Sequence, residues 1–290
     1  MASEASNVLV STDWVRDNLR TPGVRLVEVD VDTKAYDVGH IPGAVGFNWS
    51  TQLQDQTTRD ILTREAFEKL LGDAGISPSD TVVLYGDNNN WFAAYAFWLF
   101  KLYGHRDVRL MDGGRNKWLA DDRNPLTRDA ASFAPVVYRA PSINLDLRAR
   151  LPEVIEIANN TTAHSPRAST HNLVDVRSPD EFSGKVIAPP GMTETAQRGG
   201  HIPGAKNVPW AQAVAPDGTF KPRAELEQLY IRGAGVDPSK PTIAYCRIGE
   251  RSSHTWFVLK YLLGVANVKN YDGSWTEYGN LVAAPIEKSV

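Results

Sequence analysis

The chain has 290 residues, enough for one large domain or for two domains of about 130–150 residues each. Its composition, with 42% hydrophobic and 22% charged residues and a net charge of −3, is that of an ordinary water-soluble protein and does not favour a nucleic acid or an anionic membrane as partner. A single cysteine excludes an intrachain disulfide and every multi-cysteine metal site, and it is typical of a reducing compartment.

The amino terminus is predicted to carry no targeting signal. Residues 1–7 lack the basic stretch and the apolar core of a signal peptide. The longest apolar run, Trp91–Phe100, has about half of the roughly 20 residues that a membrane-spanning helix requires. We therefore predict a cytoplasmic protein without a membrane partner.

The first half of the chain alternates strand-like and helix-like segments. Short apolar runs predict strands at Arg25–Val29, Thr81–Tyr85 and Val108–Met111. Longer segments predict helices at Arg64–Ala74 and Trp91–Tyr103. Because the strands are apolar at nearly every position, both faces of their sheet should be covered, as in parallel sheets. The predicted fold class is α/β, with a mostly parallel sheet that has helices on both faces.

The second half repeats the plan of the first. The motif Gly-His-Ile-Pro-Gly-Ala occurs at 39–44 and again at 200–205. The segment from Tyr85 to Asp112 aligns without a gap to the segment from Tyr245 to Asp272. Motifs that recur in the same order and at the same spacing indicate two homologous domains.

The boundary between the two domains is predicted from prolines that interrupt the regular patterns around residues 125 to 141. We expect a first domain at 1–125, a linker at 126–140 and a second domain at 141–290. The second copy also contains a polar stretch at 159–170, which we interpret as a surface loop. A further insertion at 185–199 follows a strand and could border a ligand site, since ligands bind beyond the carboxyl ends of parallel strands.

The only cysteine lies in a loop suited to anions. Cys246 directly follows an apolar strand-like run, Arg247 and Arg251 flank it, and a helix-like stretch extends over Ser252–Leu263. A strand, a short loop and a helix aim backbone N–H groups at one point, and the helix dipole adds positive potential there. We therefore expect the thiol to lose its proton easily and to act as a nucleophile. The predicted site consists of catalytic Cys246 with Arg251, Arg247 and Gly249 as substrate-binding residues, the glycine chiefly as a tight turn.

Several other polar residues are interpreted as structural. His40 and His201 occur in both copies, of which only one has a nucleophile, so they are expected to be hydrogen-bonding residues of the turn. Asp175 and Arg177 are expected to form a buried polar framework at the end of a strand. Trp275 is expected in the core.

The role of the remaining loop residues is open at this stage. Glu250 is expected to be exposed, since an acid beside an anion site is unhelpful. Ser252 and Ser253 suit helix capping and substrate hydrogen bonding equally well. The six histidines show no metal-ligand spacing, so neither a metal nor a cofactor is expected.

The first half has no counterpart of this site. The alignment places Gly86 opposite Cys246 and Asp87 opposite Arg247. Trp91 stands where the second half has Arg251. The first domain therefore lacks the nucleophile and both cations, and we do not expect a second active site there.

Together these motifs resemble the rhodanese, or sulfurtransferase, family in its tandem-domain form. The resemblance is carried by the loop Cys-Arg-Ile-Gly-Glu-Arg at 246–251, by both Gly-His-Ile-Pro-Gly-Ala motifs and by Asp-Gly-Ser-Trp at 272–275. It implies two rhodanese-like domains and a persulfide on Cys246. Sulfur would pass from thiosulfate to a thiophilic acceptor, cyanide or a thiol. Relatives from animals carry an arginine where this chain reads Ser-Pro-Asp-Glu at 178–181, so that contact is not transferred.

Three alternatives remain at this point. A 3-mercaptopyruvate sulfurtransferase would use the same loop, although its singly charged donor needs less positive charge than two arginines provide. A persulfide carrier that serves a protein partner would also use this loop. A cysteine-dependent phosphatase is disfavoured, because its loop holds five residues between cysteine and arginine and this one holds four.

Overall fold

Most of the chain is described by a computed structural model, which covers residues 8–161, 170–189, 191 and 195–289. The predicted absence of a signal peptide concerns residues 1–7, which lie outside the described part. Most of the predicted surface loop at 159–170 and part of the insertion at 185–199 also lie outside it.

The chain divides into two units. Unit 1 contains Met1–Leu145 and Val214–Phe220, and unit 2 contains Asp146–Ala213 and Lys221–Val290. Units defined by contacts need not coincide with the boundaries of a sequence repeat. The boundaries at 125 and 141 therefore remain a prediction.

Unit 1 is built on a five-stranded sheet in which all neighbouring strands are parallel. In spatial order its strands are β1 (Leu9–Val10), β5 (Val108–Met111), β4 (Thr81–Tyr85), β2 (Val24–Asp30) and β3 (Ala44–Asn48). Its helices are α1 (Thr12–Asn18), α2 (Lys34–Val38), α3 (Trp49–Gln52), α4 (Arg64–Asp73), α5 (Trp91–Leu102) and α6 (Gly114–Leu119), with a 3-10 turn at Asn88–Asn90.

Helix α5 shows why this unit has a well-defined core. It is apolar on nearly all sides, and such a helix is stable only when it is buried. It packs on β2, β4 and β5, and Phe97, Trp98 and Leu99 are fully buried. Burying each of these side chains contributes about 1.5–3 kcal/mol. Helix α4 begins where Thr63 accepts a hydrogen bond from the Ala66 amide at 3.2 Å.

Unit 2 is built on a four-stranded parallel sheet. In spatial order its strands are β7 (Lys206–Asn207), β6 (Asn172–Asp175), β8 (Thr242–Tyr245) and β9 (Val268–Tyr271). Its helices are α7 (Leu151–Thr161), α8 (Pro179–Ser183), α9 (Arg223–Leu226), α10 (Glu250–Phe257) and α11 (Ser274–Tyr278). Wider π-helical turns prolong α9 over Glu227–Gly233 and α10 over Val258–Leu262, and 3-10 turns occur at Leu145–Leu147 and Trp210–Ala213.

The predicted fold class is confirmed. Both sheets are parallel, and β6 and β8 are buried at every position, which requires cover on both faces. Helix α10 packs on β8 and β9 as α5 packs on its own sheet. The predicted strands and helices of unit 1 form with ends shifted by at most one residue. Within the described residues, no helix combines the length and the apolar character needed to cross a membrane.

The two Gly-His-Ile-Pro-Gly-Ala motifs form equivalent turns. His40 Nδ1 lies 2.8 Å from the Tyr36 carbonyl, and its ring stacks on the Tyr36 ring at 3.7 Å. His201 Nδ1 lies 2.8 Å from the Phe182 carbonyl and stacks on the Phe182 ring at 3.6 Å. The structural role predicted for both histidines is confirmed.

An arginine binds the carbonyl of the first glycine of each motif, but the arginine comes from a different part of the chain in each unit. In unit 2 it is Arg177, whose Nη2 lies 2.8 Å from this carbonyl and 2.5 Å from Asp175. In unit 1 it is Arg115 from α6, which pairs with Glu28 at 2.7 Å. Because Arg177 and Asp175 are fully buried, the predicted polar framework is confirmed.

Candidate active site

Cys246 lies in a short loop between a strand and a helix, as predicted. It directly follows β8, and α10 begins at Glu250 with Gly249 as its N-cap residue. The Cys246 amide donates to Ser274 Oγ at 3.1 Å, and its carbonyl accepts from the Trp275 amide at 3.1 Å. The start of α11 thus holds both backbone groups of the cysteine, which fixes where its side chain can lie.

The sulfur atom is buried among polar groups. Cys246 has no exposed surface. The Gly249 amide donates to its Sγ at 3.1 Å, and the thiol donates to Glu250 Oε2 at 3.4 Å. The backbone amide and the hydroxyl of Ser252 also lie near the sulfur and favour its ionised form. The sulfur therefore occupies the N-terminal end of α10, where amides and the helix dipole stabilise an anion.

Burial nevertheless raises the pKa of the Cys246 thiol. The negative charge of Glu250 raises this pKa further, whereas the charge of Arg251 and the hydrogen bonds from Ser252 lower it without offsetting the increase. The prediction of an easily ionised thiol is therefore wrong for this closed site. The sequence indicates that backbone amides and cations lie near the sulfur. It does not show that the sulfur is buried or that a carboxylate contacts it.

The prediction that Glu250 is exposed is also wrong, since only 2% of its surface is accessible. One carboxylate oxygen accepts from the thiol of Cys246, and the other lies 3.7 Å from Arg251 Nε. A carboxylate can be buried here because it has both a hydrogen-bond donor and a cation as partners.

Arg251 forms a buried ion pair rather than a surface one. It is 7% exposed, and its Nη1 and Nη2 atoms each lie 3.3 Å from an oxygen of Glu181. Burial acts to lower the pKa of Arg251, but the charges of Cys246, Glu250 and Glu181 outweigh burial and raise it. Arg251 is therefore charged and lies beside the thiol. Whether it also binds an anionic substrate stays a prediction.

Glu181 belongs to the site although the sequence analysis gave it no role. It ends a capping box in α8, in which its amide donates to Ser178 Oγ at 3.2 Å and its carboxylate accepts from the Ser178 amide at 3.0 Å. Burial acts to raise the pKa of Glu181, but Arg251 and Ser178 outweigh this effect and the pKa is lowered. The pattern Ser-x-x-Glu was a visible signal for the cap, although not for the contact with Arg251.

The remaining loop residues hold the backbone. Arg247 is 4% exposed, and its carbonyl accepts from the amide and the hydroxyl of Thr276 at 3.0 and 3.1 Å. The hydroxyls of Ser252 and Ser253 donate to the Gly249 carbonyl at 3.1 and 2.7 Å. Both serines thus secure the first turn of α10.

Arg198 and Trp275 have structural positions. Arg198 donates to backbone carbonyls after α11, including that of Ala284 at 2.9 Å. Trp275 is 1% exposed, and its indole nitrogen donates to the Arg198 carbonyl at 3.0 Å. The prediction that Trp275 lies in the core is confirmed. Within the described part of the chain, no group of three histidine, cysteine or acidic residues could hold a metal ion.

Gly249 is required by its conformation and by its surroundings. Its φ is +99°, and a Cβ atom there would lie 2.7 Å from Asp272 Cα. We expect Gly249→Ala to destabilise the protein by about 1–3 kcal/mol from backbone strain alone. The shifted amide should also weaken sulfur transfer. Urea unfolding and activity assays would measure both effects.

Gly264→Ala is the matched control, because Gly264 has a similar φ of +75° and no atom within 4 Å of the added Cβ. This substitution should lower the free energy of unfolding only because alanine is strained at a positive φ, and it should leave activity unchanged. If the two variants lose equal activity, the Gly249 amide has no special role at the sulfur.

Unit 1 has an equivalent loop after β4, but this loop lacks a nucleophile. Gly86 directly follows β4, as Cys246 follows β8. Its amide donates to Asn90 Oδ1 at 3.0 Å, and Asp87 lies 3.7 Å from Arg115. The position of the nucleophile is occupied by a residue without a side chain, as the alignment predicted.

Comparison with known proteins follows the same two-part division. A family model described as "Rhodanese-like domain" matches residues 11–121 and 158–281. A protein of Saccharopolyspora erythraea named "Putative thiosulfate sulfurtransferase" is 59% identical over 281 residues, covering 97% of this chain and 96% of that protein. A Thermus thermophilus protein named "Sulfur carrier protein TtuD" is 53% identical over 282 residues, covering 97% and 96%.

A solved structure agrees with these sequence matches. The crystal structure of SseA from Escherichia coli, described under the rhodanese fold and 3-mercaptopyruvate sulfotransferases, superimposes with a TM-score of 0.78. It is 26% identical in sequence, and the superposition covers 92% of this chain and 98% of SseA.

Proposed function

The chain belongs to the rhodanese family, and on that premise we propose that it transfers sulfur from thiosulfate to a thiophilic acceptor, cyanide or a thiol. Cys246 carries the sulfur between the two half-reactions as a persulfide. The observation that carries the proposal is the position of its Sγ at the N-terminal end of α10, 3.1 Å from the Gly249 amide. A reducing compartment such as the cytoplasm would keep this single thiol reduced.

The chemistry proceeds in two displacements. The sulfur of Cys246 attacks the outer sulfur of thiosulfate, the S–S bond of the donor breaks, and sulfite leaves with the electron pair. The acceptor then attacks the terminal sulfur of the persulfide and regenerates the thiol. No cofactor is needed, because the reaction moves a sulfur atom without net electron transfer to the protein.

The site residues have distinct proposed roles. The Gly249 amide and the start of α10 stabilise negative charge on the cysteine or on the persulfide. Arg251 supplies a fixed positive charge near the sulfur, and Arg247, which is 4% exposed, directly follows the cysteine in the loop. Together they favour an anionic donor and an anionic leaving group.

The choice of donor does not follow from the arginines alone. Glu181 and Glu250 both pair with Arg251, so the charge of this arginine is already balanced within the protein. The proposal of thiosulfate over 3-mercaptopyruvate therefore rests on the loop sequence and on the names of the similar proteins. Thiocyanate formation from each donor with cyanide as acceptor tests it. We expect thiosulfate to give the higher kcat/KM by at least about tenfold, a difference of about 1.4 kcal/mol, and the reverse order would contradict the proposal.

A persulfide carrier is the second candidate, because one similar protein is named a sulfur carrier. Full burial of Cys246 favours small acceptors, since a protein acceptor must bring its own reactive group to this sulfur. Repeated turnover with thiosulfate and cyanide would support the enzyme. A single discharge to cyanide without further cycles would favour the carrier.

A further inference from the structure

The thiol of Cys246 lies at one end of a buried chain of charged groups. It donates to Glu250 Oε2 at 3.4 Å, and the other oxygen of Glu250 lies 3.7 Å from Arg251 Nε. The far side of the same guanidinium binds both oxygens of Glu181 at 3.3 Å. The carboxylate of Glu250 is thus held with one oxygen directed at the sulfur.

We propose that Glu250 is a catalytic residue that accepts the thiol proton of Cys246 during sulfur transfer and returns it to the persulfide. This inference rests on the proposed function and names the residue that takes up the thiol proton during that reaction. Glu250 is suited to the task because it contacts the sulfur and is only 2% exposed. The proton therefore stays within the pair.

The steps balance in atoms and charge. The proton moves from Sγ to the Glu250 carboxylate as Sγ bonds to the outer sulfur of thiosulfate. The donor S–S bond breaks and sulfite leaves as a dianion with the electron pair. The protonated Glu250 then gives its proton to the terminal sulfur, which leaves Cys–S–SH and a carboxylate. Attack of cyanide on the terminal sulfur breaks the persulfide S–S bond, and the electron pair stays on Sγ. The proton of the terminal sulfur passes by way of Glu250 to Sγ, so thiocyanate leaves and the neutral thiol is restored without an oxidant or reductant.

A base is needed here because the surroundings of the sulfur favour the neutral thiol. Burial raises the pKa of Cys246, and Glu250 itself adds to the increase. A thiolate made by loss of the proton to solvent is therefore scarce at neutral pH. Transfer to Glu250 leaves the total charge of the pair unchanged, so it avoids the cost of adding a buried charge.

The other charged groups near the pair do not supply the same function. The cations are Arg247 and Arg251, neither of which accepts a proton. The acids are Glu181, whose oxygens bind Arg251, and Asp272, which binds Arg148 at 2.7 Å. His254 on the next turn of α10 is fully buried, and burial lowers its pKa to about 3, so it stays neutral through the neutral range.

The test compares single-turnover persulfide formation in the wild type and in Glu250→Gln between about pH 6 and 8. Internal proton transfer makes the wild-type rate nearly independent of pH. The glutamine variant must first lose its proton to solvent, so its rate should rise about tenfold per pH unit below the thiol pKa. That pKa is read in the same samples from the ultraviolet absorbance of the thiolate, and it should be lower in Glu250→Gln because the negative charge is gone.

Glu225→Gln is the matched control, because Glu225 is an exposed glutamate in the same unit. It should keep the flat wild-type profile. If the wild-type rate follows its own thiolate fraction, or if Glu250→Gln is as flat as the wild type, the inference is overturned. Should Glu250→Gln fail to fold, the pH profile of the wild type decides the question by itself. Failure of the wild type to gain any sulfur would instead overturn the proposed function.

Discussion

Cys246→Ser should lose thiocyanate formation by at least about three orders of magnitude, the scale seen when an enzyme loses its nucleophile. An alcohol is a far weaker nucleophile than a thiol and cannot store sulfur as a persulfide. The chain has no second cysteine that could take over the reaction. The measurement is steady-state thiocyanate release with thiosulfate and cyanide at saturating concentrations.

The fold should survive this substitution. A serine Oγ can accept from the Gly249 amide and donate to Glu250, as the thiol does at 3.1 and 3.4 Å. We expect the free energy of unfolding to change by no more than about 1 kcal/mol, the size of one hydrogen bond. A folded Cys246→Ser protein that retains substantial turnover would remove Cys246 from the reaction.

Arg251→Met should reduce both stability and activity. The substitution leaves Glu181 and Glu250, which are 1% and 2% exposed, without their shared cation. Breaking a buried ion pair in this way costs about 3–5 kcal/mol. Activity should fall by about two orders of magnitude, the usual effect of removing one preorganised charge-stabilising group. The thiol pKa should also rise, because Arg251 lowers it.

A double variant separates the two effects. In Arg251→Met with Glu181→Gln, one uncompensated charge has been removed, so part of the lost stability should return. Activity should stay low, because the positive charge beside Cys246 is still absent. Arg123→Met is the control for losing an exposed arginine, since the Arg123–Asp121 pair lies at the surface, where water screens the attraction between the charges. Recovery of full activity in the double variant would show that Arg251 only neutralises Glu181.

The fold and the position of the nucleophile could be predicted because their signals are local. The strand Thr81–Tyr85 is a continuous apolar run, and the structure gives it the same bounds. The loop at Cys246 is bounded by an apolar strand and a helix, and both lie within a dozen residues of it. Repetition of the Gly-His-Ile-Pro-Gly-Ala motif indicates that the second half of the chain has the same fold as the first. Each of these patterns can be read from the sequence without knowledge of which residues meet in the fold.

The surroundings of the sulfur could not be predicted in the same way. Glu250 was expected to be exposed because an acid beside an anion site is unhelpful, whereas its burial depends on the packing of α10. Glu181 lies far from the loop in sequence and reaches Arg251 only through the fold. The pKa of the thiol is raised because the burial of Cys246 and the charge of Glu250 beside it outweigh the charge of Arg251 and the hydrogen bonds that lower this pKa.

The central claim is that sulfur is held covalently on Cys246, and the mass of the intact protein after incubation with thiosulfate tests it most directly. The account predicts a gain of one sulfur atom that disappears on addition of cyanide and never forms in Cys246→Ser. A protein that turns over thiosulfate while its mass stays unchanged, or a sulfur that is added equally to Cys246→Ser, would contradict it.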